Sequence, residues 1–153
     1  MQRYGARVLS VLERRLGDHD RAHDLCQEVW IRVHRAFDKD EAAATKGSFR
    51  SWLFAIALNL ARDEGRARRR FRKHFEEQQP VEEAAEDRRA DRIDQRDAID
   101  AVLRGSDEPY RTAVVLVDVE GLSYEEAATS AGCALGTMKS RVARGRAAFR
   151  DGY

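Results

Sequence analysis

Lys139, Arg141, Arg144, Arg146 and Arg150 crowd the end of the sequence, and residues 134–150 contain no acid. At 3.6 residues per turn, Leu135, Met138, Val142 and Phe149 share one narrow apolar arc. Ser140, Arg144 and Ala147 lie nearly opposite, flanked by Thr137 and Ala143. A helix with an apolar stripe, five positive charges and no acid suits phosphates and the base edges of a DNA groove. A merely solvated helix would mix its signs for i,i+4 pairing. Just upstream, Ser123 and Glu126 have the spacing of a capping box, with Leu122 and Ala127 placed as its hydrophobic staple. Gly121 can end the preceding helix and Gly132 supplies a turn. Ala127, Ala128 and Ala131 are small enough for a second helix to cross closely. Two helices joined by a tight turn, the second basic, make the layout of a helix-turn-helix, whose second helix enters the major groove.

The rest of the chain must carry this unit. Val8, Val11, Leu12 and Leu16 form one helical stripe, stopped at Gly17. Asp18 or Asp20 can cap a second helix, in which Ala22, Leu25, Cys26, Val29, Trp30, Val33 and Phe37 repeat at three and four. A loop is expected from Asp38 to Gly47, with Ser48 as a cap. The third helix carries Phe49, Trp52, Leu53, Ile56 and Leu60 on one face and Phe54 and Leu58 opposite, so it should be buried between neighbours. It ends in Arg62, Arg66, Arg68, Arg69, Arg70, Arg72 and Lys73. Residues 74–92 hold few large apolar groups and read as a flexible acidic linker. Ile93, Ile99, Val102 and Leu103 suggest a helix ending at Gly105. Another can begin at Ser106 or Asp107, with Pro109 in its first turn and Tyr110, Val114 and Val117 buried. The expected fold is all-α, with small helical domains over residues 1–73 and 93–153.

The chain has 153 residues and a net charge of +1, but the charge is uneven. Residues 1–72 carry net +6 and residues 73–108 net −6. Phosphates would therefore meet the two ends, while the middle would avoid DNA. No apolar run is long enough for a membrane span, and no signal peptide is evident. Cys26 and Cys133 lack a metal-type spacing, which points to reduced thiols and a cytoplasmic setting.

Two separated blocks carry a family resemblance. The first is Asp20-Arg-Ala-His-Asp-Leu-Cys-Gln-Glu-Val-Trp-Ile-Arg-Val followed by Phe49-Arg-Ser-Trp-Leu-Phe-Ala-Ile-Ala-Leu-Asn. The second is Tyr110-Arg-Thr-Ala-Val-Val-Leu, then Gly121-Leu-Ser-Tyr-Glu-Glu-Ala-Ala, then Gly136-Thr-Met-Lys-Ser-Arg-Val-Ala-Arg-Gly-Arg. Together they resemble bacterial sigma factors of the extracytoplasmic-function branch of the sigma-70 family, which keep only regions 2 and 4. The resemblance implies region 2 over 1–73, a linker over 74–92 and region 4 over 93–153. It implies a transcription initiation factor, not an enzyme, that needs no cofactor or metal. Its implied partners are core RNA polymerase and promoter DNA, and members are commonly held inactive by an anti-sigma factor.

Site residues follow by position. Asp24, Gln27, Glu28 and Arg32 resemble the strip that docks on polymerase, although His23 stands where the family often has an acid. Lys46, Ser48, Phe49 and Arg50 fall near the part that captures a flipped base of the −10 element, a step that costs a few kcal/mol of unstacking. Trp52 shares the apolar arc and reads as core. Asn59, Asp63 and Arg66 match the upstream edge of that element, while Arg62 and Arg69 favour phosphates. Lys139, Ser140, Ala143 and Arg144 match the −35 reader, with Thr137 set for a phosphate at the helix start. Arg141 and Arg146 lie off the groove axis and suit backbone contacts or interhelical pairing. Stretched at ~3.3 Å per residue, the linker gives two readers the reach that separate promoter elements need.

The rival readings use different residues. A stand-alone helix-turn-helix regulator would need neither the second-helix strip nor the Trp-containing block, and would usually dimerise on a palindrome. A metal enzyme could use His19, His23 and Cys26, since His-x-x-x-His spans one helical turn, but no fourth ligand or general base accompanies them. A pure interaction protein would not require the basic last helix.

Overall fold

The computed structural model describes residues 2–39, 47–76, 101, 103 and 105–151. Six helices can be delimited among them: α1 (Gln2–Leu16), α2 (His19–Asp38), α3 (Phe49–Glu76), α4 (Tyr110–Val114), α5 (Tyr124–Ala131) and α6 (Leu135–Asp151). A π-helical turn, Val115–Val119, extends α4. Residues 101 and 103 are also helical, within the span expected to form a helix before Gly105. No strand occurs among the described residues.

The α1–α2 corner follows from its sequence. Gly17 takes a left-handed backbone (φ 66°), and its N–H donates to the Glu13 carbonyl at 2.8 Å. The Asp18 side chain then accepts the Arg21 N–H and caps α2, worth about 1 kcal/mol. Ala22, Leu25, Val29 and Val33 are buried along α2, facing Val8, Val11 and Leu12. Arg21 makes a two-pronged bond to Glu64 of α3 at 2.6 and 2.8 Å, and Arg68 reaches Asp18 at 2.8 Å. These charged bonds tie the cap of α2 to the far half of α3.

α3 is the axis of the fold. It packs against α1 and α2 on one side and against α5 on the other. That explains its two apolar faces: Leu53, Phe54, Ala57, Leu58, Leu60 and Ala61 are all buried. Three boundaries differ from the sequence reading: α4 begins at Tyr110, with Pro109 as its N-cap rather than in its first turn. Asp38 closes α2 rather than opening a loop, and α3 continues through residues 74–76, because its helical ladder runs past Lys73 without a Gly or Pro to stop it. The remainder of the segment read as a linker lies outside the described residues.

The two halves of the chain form one contact surface. The Ser130 hydroxyl of α5 lies 2.8 Å from the Ser51 carbonyl of α3, and both residues are buried. Arg7 donates from Nε to the Glu120 carboxylate at 2.8 Å and from its guanidinium to the Glu120 carbonyl. Glu120 is only 5% exposed, so this pairing supplies the counter-charge that a buried carboxylate requires. Arg15 forms an ion pair with Glu108.

Candidate nucleic-acid interface

The helix-turn-helix is built as its local chemistry demands. Ser123 accepts the Glu126 N–H at 3.1 Å, and Glu126 accepts the Ser123 N–H at 2.9 Å, so the capping box is complete. Gly132 adopts φ 66° at the end of α5 and lets α6 turn back. Met138 and Val142 are fully buried against the rest of the unit. Gly145 is buried too, and a Cβ there would collide with Val114 and come within 2.9 Å of the Tyr110 carbonyl. α6 therefore crosses α4 at a distance only glycine permits.

This packing turns the opposite face of α6 outward. Thr137, Lys139, Ser140, Ala143 and Arg144 are all exposed. Ser140, Arg141 and Arg144 line an open groove with Tyr110 and Thr137. Arg144 Nη1 donates to the Tyr110 hydroxyl at 3.0 Å, and its guanidinium lies 5.8 Å from the Tyr110 ring centroid. Tyr110 thus steers the side chain proposed to reach a base, a pairing the sequence did not reveal. Arg146 is taken up differently: it grips Asp118 with bonds of 2.9 and 2.6 Å, and that carboxylate holds its pKa further above the ordinary range.

A second surface gathers at the start of α3. Phe49 is 38% exposed and contacts Tyr4, Phe37 and Trp52 at ring-centroid distances of 5.6, 6.3 and 5.8 Å. Trp52 is half-buried, in keeping with its place in the apolar arc. Ser48 caps α3 by accepting the Ser51 N–H at 3.1 Å. Ser48 and Arg50 also bond Glu126 of α5, at 2.6 and 2.9 Å, and Arg50 reaches the Gly121 carbonyl at 3.1 Å. The Ser48 hydroxyl, then the Ser123 N–H, and then Arg50 hold the Glu126 carboxyl down at about 2. Lys46 lies outside the described residues. Asn59, Arg62, Asp63 and Arg66 are exposed farther along α3. Asp63 and Arg66 line an open groove with Arg69 and Arg70, so Arg70 joins this set; its place in the basic run was the available signal.

On α2, Asp24, Gln27 and Arg32 are exposed and Glu28 is half-buried. Glu28 pairs with Arg32 at 3.2 Å, and Asp24 lies 3.7 Å from Arg21. The strip is a solvent-facing row of hydrogen-bonding groups over an apolar floor. Cys26 does not join His19 and His23. Its thiol faces the Gly5 carbonyl on α1, and burial pushes its pKa up.

Two family models cover most of the chain: sigma-70 region 2 matches residues 1–71, and a sigma-70 region 4 model matches residues 96–149. The chain belongs to the extracytoplasmic-function branch of the sigma-70 family. It is 37% identical to the ECF RNA polymerase sigma factor SigE of Mycolicibacterium smegmatis, over 99% of this chain and 59% of that protein. It is 31% identical to the RNA polymerase sigma-H factor of Pseudomonas aeruginosa, over 96% of this chain and 80% of the relative. EcfG of Rhodopseudomonas palustris is 36% identical, with 85% of this chain and 70% of the relative covered. The chain thus spans about three fifths of the length of the first of these sigma-70 relatives. The fold resembles the sigma factor RpoE bound to the anti-sigma factor NepR from Bartonella quintana, at TM-score 0.69, 28% identity, and coverage of 96% of this chain and 89% of that one.

Proposed function

We infer that this chain is a transcription initiation factor that binds core RNA polymerase and directs it to promoters. The observation that carries the reading is the presence of region 2 and region 4, in that order, on one chain. A stand-alone regulator accounts only for the second. Residues 1–73 would bind polymerase and the −10 element, and residues 93–153 the −35 element.

The proposed roles follow the surfaces. Asp24, Gln27, Glu28 and Arg32 would dock on polymerase. Lys46, Ser48, Phe49 and Arg50 would lie at the −10 base pocket, with Asn59, Arg62, Asp63 and Arg66 at its upstream edge. Lys139, Ser140, Ala143 and Arg144 would face the −35 major groove, with Thr137 on phosphate. Their exposure on one side of α6 supports that reading. None of these roles requires bond-making by the chain itself, so the activity is non-enzymatic and belongs in the cytoplasm with polymerase. No helix among the described residues is long and apolar enough to cross a membrane. An anti-sigma partner is proposed from the likeness to the Bartonella quintana complex.

Retention of purified core RNA polymerase on the immobilised chain tests the reading. Saturable retention is expected. Failure to retain polymerase would leave only the helix-turn-helix and favour the stand-alone regulator.

A further inference from the structure

Glu13, His19 and His23 stand together at the corner between α1 and α2. Glu13 Oε1 lies 2.5 Å from His19 Nδ1, and the imidazole rings of His19 and His23 are 4.5 Å apart, centroid to centroid, at 72°. One ligand atom from each of the three residues lies within 4.8 Å of the others. We propose that this corner binds a divalent transition-metal ion through Glu13, His19 and His23.

The arrangement has a simple origin. His19 and His23 are one helical turn apart at the start of α2, so their rings emerge on the same side. The left-handed turn at Gly17 reverses the chain and lays the end of α1 beside them. Cys26, one turn farther on, is drawn inward to α1, and Glu13 takes the place that sequence spacing suggested for it.

The distances suit an ion. Bonds of about 2.0–2.1 Å in a tetrahedral site place ligand atoms about 3.3 Å apart. The ligand atoms already lie within 4.8 Å of one another, with Glu13 and His19 in contact at 2.5 Å, and side-chain rotation would bring them to that spacing. His19 and His23 are exposed and Glu13 is half-buried, so neither core packing nor backbone resists it. Two imidazoles and one carboxylate select borderline ions such as Zn2+ or Ni2+ over Mg2+ and Ca2+, which prefer all-oxygen shells. Water fills the remaining positions. The ion pins the end of α1 to the start of α2, one turn before Gln27.

The inference rests on these three side chains and not on the proposed polymerase docking. It is tested by calorimetric titration of the metal-stripped full chain with ZnCl2, NiCl2 and MgCl2. One equivalent of Zn2+ and of Ni2+ should bind, with no uptake of Mg2+. His19→Ala, His23→Ala and Glu13→Gln should each weaken binding, the histidine variants at least tenfold. His34→Ala, on the same helix, should bind as the native chain does. Excess Zn2+ should raise the unfolding temperature of the native chain and leave that of His23→Ala unchanged, while circular dichroism confirms that the variant is folded. Absence of saturable binding by the native chain, or undiminished affinity in any of the three ligand variants, would overturn the proposal.

Discussion

Arg50 at the start of α3 donates through Nη2 to Oε2 of Glu126 in α5, across 2.9 Å. The same carboxylate takes the Ser48 hydroxyl at 2.6 Å while completing the cap of its own helix. One acid therefore serves the helix-turn-helix and also engages two side chains proposed for the −10 pocket. The face of α6 proposed for the −35 element and the strip on α2 proposed for polymerase stay open. On the proposed assignment, Glu126 would have to release Ser48 and Arg50 before they met DNA, parting α5 from α3.

Glu126→Gln should loosen this contact without unmaking the helix start, because glutamine also serves in a capping box. A compact chain of this length has a radius of gyration of about 15 Å. Small-angle scattering should show the variant expanded relative to the native chain, with the same helical content. Identical radii would mean that the Arg50–Glu126 pair does not hold the halves together.

Acid should act at the same place. The Glu126 carboxyl is held at about 2, below its ordinary value of 4.5. A depressed carboxylate contributes stability that is complete above pH 4.5 and fades as pH falls towards 2. Asp18 is lowered by the Arg21 N–H and then by Arg68, and Glu64 chiefly by Arg21, so the α2–α3 contact weakens in the same direction. Comparison with Glu126→Gln separates the two effects. The native chain should expand between about pH 4.5 and 2 by more than the variant does. Equal acid expansion in both would assign the transition to α2 and α3 alone.

Arg144→Ala should reduce transcription from the chain's own promoter about tenfold, the worth of a bidentate base contact of roughly 1–3 kcal/mol. Polymerase affinity should be unaffected, because Arg144 lies on α6, away from the strip on α2. Run-off yield and polymerase binding measured on the same preparation check this. Parallel loss of both would contradict the assignment.

Asp24→Ala and Gln27→Ala should weaken polymerase binding, by about tenfold for a charge-assisted bond lost at a docked surface. Affinity for isolated −35 duplex should be unaltered. A competition assay against the native chain reads the first and fluorescence anisotropy the second. Undiminished competition by both variants would move the docking surface elsewhere.

Much of this was legible because it is local. Ser123 and Glu126 are three residues apart, and the capping box follows from that spacing. The two apolar faces of α3 announced two neighbours, and both are present. The identity of the second neighbour was not readable, since Glu126 lies 76 residues from Arg50 and nothing local pairs them. The need for glycine at 145 was hidden for the same reason: the obstruction comes from Tyr110 and Val114 on another helix. The π-helical turn adds one residue to a valine-rich stretch whose composition does not distinguish it from an α-helix. Arg144 was marked by charge and position, but its hydrogen bond to Tyr110 required the crossing of α4 and α6.

One chain with two grips, on polymerase through α2 and on duplex DNA through α6, is the central proposal. Run-off transcription with core polymerase on a genomic fragment library tests that most directly. Discrete transcripts that appear only when the chain is added, and start at defined positions, are the predicted result. Transcripts no different from those of core polymerase alone would contradict it.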